Sequence, residues 1–211
     1  MRAPCLRMAA LIGLLFLALA RTQSLHAQQP LPTGVQSAAQ GTVGQNMLQL
    51  DYATKGPLSN VSNMVDYGLL FTPNRDFAVS ATLLFGTDLP LIPGLSFELG
   101  PKVYAAVLAG SSNVENSNKN DVFALALGGG VRFDIWPSMG LAAFGNAYYA
   151  PNVLIFGEAS GVYDLAAGGE IRLLSQMVAI VGYRWFRFTL QGQPSERVAN
   201  EVFGGLRWQF K

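Results

Sequence analysis

The 211-residue chain is 50% hydrophobic and only 13% charged, with a formal net charge of +1, so it carries neither a nucleic-acid footprint nor a polybasic tail. Its one cysteine and one histidine, Cys5 and His26, fall in a leader that export removes. The mature chain then lacks the imidazole and thiolate of a conventional zinc or haem site and of a Ser-His or Cys-His nucleophile pair.

Arg2 and Arg7, the 13-residue apolar run Met8 to Ala20, then Arg21 and a polar stretch to Ala27-Gln28-Gln29 follow the order of a secretory signal peptide. The run is too short for a spanning helix, which needs about 20 residues. Ala18-Leu19-Ala20 fits the small-x-small rule best; Leu25-His26-Ala27 gives a more usual length and is favoured, making residues 1–27 the signal. Cleavage there removes Arg2, Arg7 and Arg21 and no acid, taking 14 basic and 13 acidic residues to 11 and 13, a formal charge of −2. Cys5 precedes the apolar run, whereas the lipidated cysteine of a lipoprotein follows it. Residues 28–45, rich in Gln, Pro, Gly, Ser, Thr and Ala, read as a flexible arm or a weak first strand ahead of a single domain, 46–211.

Beyond the leader the apolar residues are dispersed on alternate positions with no long run, the pattern of strands that show one face to lipid and one to an interior. Strands are predicted at 47–54, 61–72, 77–87, 95–108, 122–135, 140–150, 161–173, 177–190 and 200–210, most of them long enough to cross a bilayer at about 9–11 residues. Trp136-Pro137-Ser138 and Leu174-Ser175-Gln176 are tight turns, whereas Ser111 to Asp121, Pro151 to Ser160 and Gln191 to Ala199 are longer loops. Short turns on one side and long loops on the other match an up-and-down membrane barrel. Counting back from the C-terminus puts the Pro73 to Asp76 turn outside and Asp88 to Gly94 inside.

Nine segments cannot close a barrel whose two ends lie on one side. Either residues 35–45 supply a tenth strand, which we favour, or one early segment lies off the wall and eight remain. The predicted fold is an all-β, transmembrane, antiparallel up-and-down β-barrel of eight or ten strands.

Within the segments, charges take the parity opposite the apolar residues. Phe123, Leu125, Leu127, Val131, Phe133 and Ile135 oppose Arg132 and Asp134; Tyr163, Leu165, Ala167, Ile171 and Leu173 oppose Asp164, Glu170 and Arg172. Phe97, Leu99, Val103 and Val107 oppose Glu98 and Lys102. With Asp66, Arg184, Glu201 and Arg207 these form a predicted interior charge set, whose members pair and plug a small barrel or line a narrow polar passage. Two segments fit poorly: Phe144 and Tyr148 share one face, and Val178, Ile180 and Phe186 share that of Arg184, a sign of a bulge or of extra interior packing. Pro101 lies inside a strand without a donor for the ladder and predicts a local irregularity.

Aromatic residues fall into two predicted girdles. Trp136, Trp208 and Phe210 form the inner one; Tyr104, Tyr148, Tyr149, Tyr163, Tyr183 and Trp185 lie toward the outer end. The same aromatics would also suit a soluble β core, with apolar parity inward. An enzyme would have to use carboxylates alone, and no spacing singles out a pair among Glu98, Asp134 and Glu170. Gly128-Gly129-Gly130 lacks the Lys-Ser/Thr partner of a phosphate loop and predicts close strand packing or curvature. The Asn- and Ser-rich stretch Asn113 to Asp121 lacks the spaced acids and glycine of a calcium loop and reads as a solvated surface loop. No cofactor is predicted.

The ending Val202, Gly204, Leu206, Trp208 and Phe210 on one face, against Glu201, Phe203, Gly205, Arg207 and Gln209 on the other, resembles the C-terminal signal by which outer-membrane barrels are recognised for assembly. Leu89-Pro90 with Pro93-Gly94, Gly128-Gly129-Gly130, Tyr148-Tyr149-Ala150-Pro151, Gly182-Tyr183-Arg184 and terminal Phe210 resemble the YfaZ family of small Gram-negative outer-membrane proteins over residues 65–210. The resemblance implies an outer-membrane location, with lipid and the barrel assembly machinery as partners. The expected role is non-catalytic, structural or interacting, or that of a narrow channel. The alternative is a soluble periplasmic lipocalin-like barrel for a small apolar ligand.

Overall fold

The two-residue period of the sequence becomes a sheet in which every strand is antiparallel to its neighbours. The computed structural model describes residues 37–55, 63–73, 76–89, 91–109, 119–157, 159–190 and 196–210; the leader, Cys5, His26 and most of the predicted surface loop Asn113 to Asp121 lie outside them. The strands are β1 (Ser37–Gly44), β2 (Leu48–Lys55), β3 (Asn63–Phe71), β4 (Phe77–Asp88), β5 (Leu95–Ala109), β6 (Lys119–Trp136), β7 (Leu141–Pro151), β8 (Ile155–Gly157), β9 (Ala159–Leu174), β10 (Met177–Leu190) and β11 (Glu196–Phe210).

β1 pairs with β11 from Ser37↔Phe210 to Gly44↔Phe203, so the sheet closes on itself. The stub β8 holds no place of its own in the ring: it pairs with Val122 to Ala124 of β6, beyond the point where β7 leaves that strand. The wall therefore has ten strands, and the tenth comes from the stretch 35–45. β7, β9, β10 and β11 are joined by long connections at one end and by short turns at the other. One short turn is a 3-10 turn over Pro137–Met139, ended by Gly140 at a left-handed φ of 64°. Pro101 leaves its mark on the ladder, since the β4–β5 pairing passes from Thr82↔Lys102 to Phe85↔Leu99 with nothing between.

Burial alternates with the same period. Leu99, Leu127, Val131, Phe133, Leu165, Val181 and Leu206 are exposed on the outer side of the wall, while Glu98, Lys102, Arg132, Asp164, Glu170, Arg184 and Arg207 are buried inside it. The interior also holds apolar side chains, concentrated toward the long connections: Leu108, Val122, Ala150, Val162, Phe188 and Val198. Phe144, Val178, Ile180 and Phe186 belong to this packing, which accounts for the two segments whose parity looked wrong.

Tyr104 and Tyr148 correct the predicted outer girdle, for both are buried inside the barrel. Height along the strand suited a girdle, but parity decides direction: Tyr104 shares the face of Lys102, and Tyr148 cannot point the same way as its neighbour Tyr149.

The triplet Gly128-Gly129-Gly130 is a place of close strand approach. A Cβ on Gly128 would sit 2.0 Å from the Ala147 carbonyl oxygen and one on Gly129 1.9 Å from that of Glu98, whereas one on Gly130 would find its nearest atom at 3.4 Å. Gly128→Ala and Gly129→Ala should each destabilise the barrel by about 3 kcal/mol or more, and Gly130→Ala by less than about 1 kcal/mol. Urea unfolding followed by tryptophan fluorescence checks the contrast; equal effects at all three positions would refute it.

Candidate functional site

β9 carries two inward carboxylates, Asp164 and Glu170, six residues and therefore about 20 Å apart along the strand. Each gathers two cations from other strands. Asp164 accepts from Lys102 Nζ at 3.2 Å, from Arg184 Nε at 3.0 Å and Nη2 at 2.8 Å, and from the Tyr104 hydroxyl at 2.6 Å. Lys102 also lies 5.0 Å and 4.9 Å from the ring centroids of Tyr104 and Tyr148, so its ammonium is held between a carboxylate and two π faces.

Arg184 carries the network onward. Its Nη1 donates to the Gln49 carbonyl, and Gln49 Nε2 donates to Asp51 Oδ1 at 2.5 Å. Lys102 is on β5 and Gln49 on β2, each three strands from its partner around the ring, so these contacts are chords across the lumen. Arg184 further lies over the Phe186 ring at 5.1 Å.

The second node is nearer the short turns. Glu170 accepts from Arg132 Nε at 2.8 Å and from Arg207, and Arg132 reaches Asp134 at 2.6 Å. Two cations and two acids meet in each network, so both are neutral overall. Pairing of this kind is what permits charge in an interior of low dielectric.

The remaining predicted residues fall differently. Asp66 is buried on β3, opposite Ala53 and Thr82, and Glu98 is buried on β5, opposite Gly86 and Gly130. Glu201 accepts the Asn46 backbone N–H at 2.7 Å, beside the β1–β2 turn. Arg172 is exposed at the rim, next to Gly140, and takes no part in the buried networks: inward parity holds only as far as there is an interior to enter. Gln49, Asp51 and Tyr104 are network members absent from the predicted set. Asp51 was within reach, since it alternates with the exposed Leu50 and Tyr52.

On the outer side Tyr149, Tyr183, Trp136, Trp208 and Phe210 are exposed. Tyr149 and Tyr163 lie 4.9 Å apart, Tyr163 and Trp185 6.0 Å apart, and Tyr183 donates to Asn200 at 2.7 Å. Val202, Gly204, Leu206, Trp208 and Phe210 all take the outer face of β11.

A comparison with protein families matches residues 86–210, more than half of the chain, to the family described as YfaZ precursor. The chain belongs to the YfaZ family. The family match spans both carboxylates of β9 and all four of their cationic partners, whereas Gln49 and Asp51 precede it. No curated protein matches the chain. Among solved structures, the crystal structure of the outer membrane channel DcaP of Acinetobacter baumannii aligns at 13% identity over 90% of this chain and 69% of that one, with a TM-score of 0.40, a likeness too slight to build on.

The two nodes differ from ordinary surface ion pairs in what happens when one member is lost. Asp164→Asn leaves Lys102 and Arg184 facing each other in the interior and should cost about 3–5 kcal/mol. Lys102→Met leaves Asp164 its Arg184 partner and should cost roughly 1–2 kcal/mol. Chemical unfolding of the two variants side by side measures the difference; a Lys102→Met variant as unstable as Asp164→Asn would show that the node is not centred on the carboxylate.

Proposed function

We propose that this YfaZ-family chain is an integral outer-membrane β-barrel without a catalytic role, closed by its own side chains, that serves as a structural or interaction protein in that membrane. The carrying observation is the inversion of the wall, apolar outside and ion-paired inside, on a ring with no free edge. A soluble lipocalin-like barrel would need the reverse. The exposed Trp136, Trp208 and Phe210 at the short-turn end, and Tyr149 and Tyr183 toward the other, support seating between two interfaces. The leader supports export, and the outward face of β11 supports recognition by the assembly machinery.

A narrow channel is the less favoured form of the same reading. Chords from β5 to β9 and from β10 to β2 cross the lumen, and the interior voids beside Gln49 and Arg184 measure about 10 and 20 Å³, each room for one water at most.

Fractionated host membranes should contain the protein in the outer membrane, with different gel mobility before and after heating; recovery in the soluble periplasmic fraction would refute the membrane reading. Reconstituted into a planar bilayer, it should give no steady ion current. A stable current altered by Arg132→Glu would overturn the closed lumen and establish the channel.

A further inference from the structure

Most charge in the wall points inward, but two arginines do not. Arg187 of β10 lies between the buried Phe186 and Phe188 and so takes the outer face, and Arg197 of β11 is exposed directly opposite it. A register shift at Phe186/Arg187 brings them level; without it Arg187 would face Val198. Like charges directly opposed on neighbouring strands repel. Among the described residues neither arginine is in an ion pair, and Arg187 Nε is buried with no hydrogen-bond partner. Glu196 takes the register position opposite Phe188, one step from the pair.

The row continues away from the arginines, since Arg187 faces Tyr163 and Tyr163 faces Tyr149. One row nearer the short turns the outer wall is hollow. Gly129 faces Ala147, and in the next row Gly145 faces Ala167; the depression above them, flanked by Leu165 and Trp185, has a volume of about 680 Å³ and is almost wholly apolar. At ordinary strand spacings about 12 Å separate Arg187 from Ala147. Two guanidiniums with no ion pair among the described residues, beside a tyrosine row and with an apolar trough about 12 Å on, are complementary to an amphiphile with an anionic head.

We propose that this outer surface binds a phosphate-bearing lipid, its phosphate oxygens shared by Arg187 and Arg197 and one acyl chain lying over Gly129, Ala147, Gly145 and Ala167. A phosphate group accepts from both forks and removes the repulsion between them. The trough selects a lipid over a free anion. The proposal rests on the outer-membrane reading and adds a ligand class to it.

The test uses the full-length mature chain in detergent, with native mass spectrometry of the folded form. The probes are a bisphosphorylated acylated glucosamine disaccharide and phosphatidylcholine, with inorganic phosphate as soluble competitor. The wild type should retain the phosphate lipid in preference to phosphatidylcholine. Arg187→Gln with Arg197→Gln should lower that preference roughly thirtyfold, and Arg187→Lys with Arg197→Lys should keep most of it. Ala147→Trp, which fills the trough and leaves the charge alone, should weaken retention severalfold. In lipid-free detergent the double Gln variant should melt no lower than the wild type, because the like-charge pair is gone, which separates lost binding from lost folding. Equal retention by wild type and double Gln variant overturns the proposal, as does displacement of the lipid by millimolar inorganic phosphate. If the wild type forms no heat-modifiable barrel at all, the membrane reading fails, and this inference fails with it.

Discussion

The seam between β1 and β11 is what the rest of the molecule depends on. Left open, the ten-stranded wall would present two edges of unpaired N–H and C=O groups; closed, it has none. β1 can make the seam although its sequence, Ser-Ala-Ala-Gln-Gly-Thr-Val-Gly, has little apolar bulk, because what the position requires is close approach to β11. A Cβ on Gly205 would lie 2.2 Å from the Gly41 carbonyl oxygen, so β11 and β1 meet at a distance that only glycine allows. The seam also brings Ser37 level with Phe210, which puts the first and last strands at one end and makes the strand number even.

A closed ring of ten strands fixes the size of its interior, and that volume must be filled. The chain fills it with apolar side chains toward the long connections and with ion pairs below them. The ion pairs are not the cheapest filling, since desolvation offsets much of their mutual attraction. Their consequence is for register. Because side chains alternate strictly, slipping β9 by one residue would turn both Asp164 and Glu170 out of the barrel and leave Lys102, Arg184, Arg132 and Arg207 without their partners. An apolar interior would penalise that slip far less, because its side chains would be as comfortable on the apolar outer side.

β5, β6, β9 and β11 were legible because alternation there is strong and charge marks the inner face, whereas β7 and β10 were placed with their parity in conflict and the stub β8 lies in a stretch read as a loop. β1 was legible only through the parity of the strand count, since small residues carry almost no periodic signal. The interior charges could be read as a set but not as pairs: nothing in the sequence says that Asp164 and Glu170 are the hubs, because that depends on which strands stand across the lumen from β9. The glutamine bridge from Arg184 through Gln49 to Asp51 joins residues more than a hundred positions apart, and Gln49 in isolation looks like any polar strand residue. Arg172 failed for a simpler reason, that parity gives a direction and not a depth.

Three of the rings on the inward face share one device, among them Phe144 and Tyr148, where alternation looked broken. Tyr148 stands directly opposite Gly128, Phe144 opposite Gly168 and Phe203 opposite Gly182. In each pair a Cβ on the glycine would meet the aromatic ring at 2.7 to 2.9 Å, so the ring occupies the space the glycine leaves. A large residue on one strand and none on the next keeps the volume per pair nearly constant while letting the strands bend toward each other, which a ring of small radius requires. These three rings on the charged face were therefore never out of register. They are the complement of glycines on adjacent strands, and the pairing becomes visible only when the cross-strand partner is known. The same holds for the bulge beside Arg187, which spoils the local period and in doing so sets two arginines side by side on a wall that is mostly apolar.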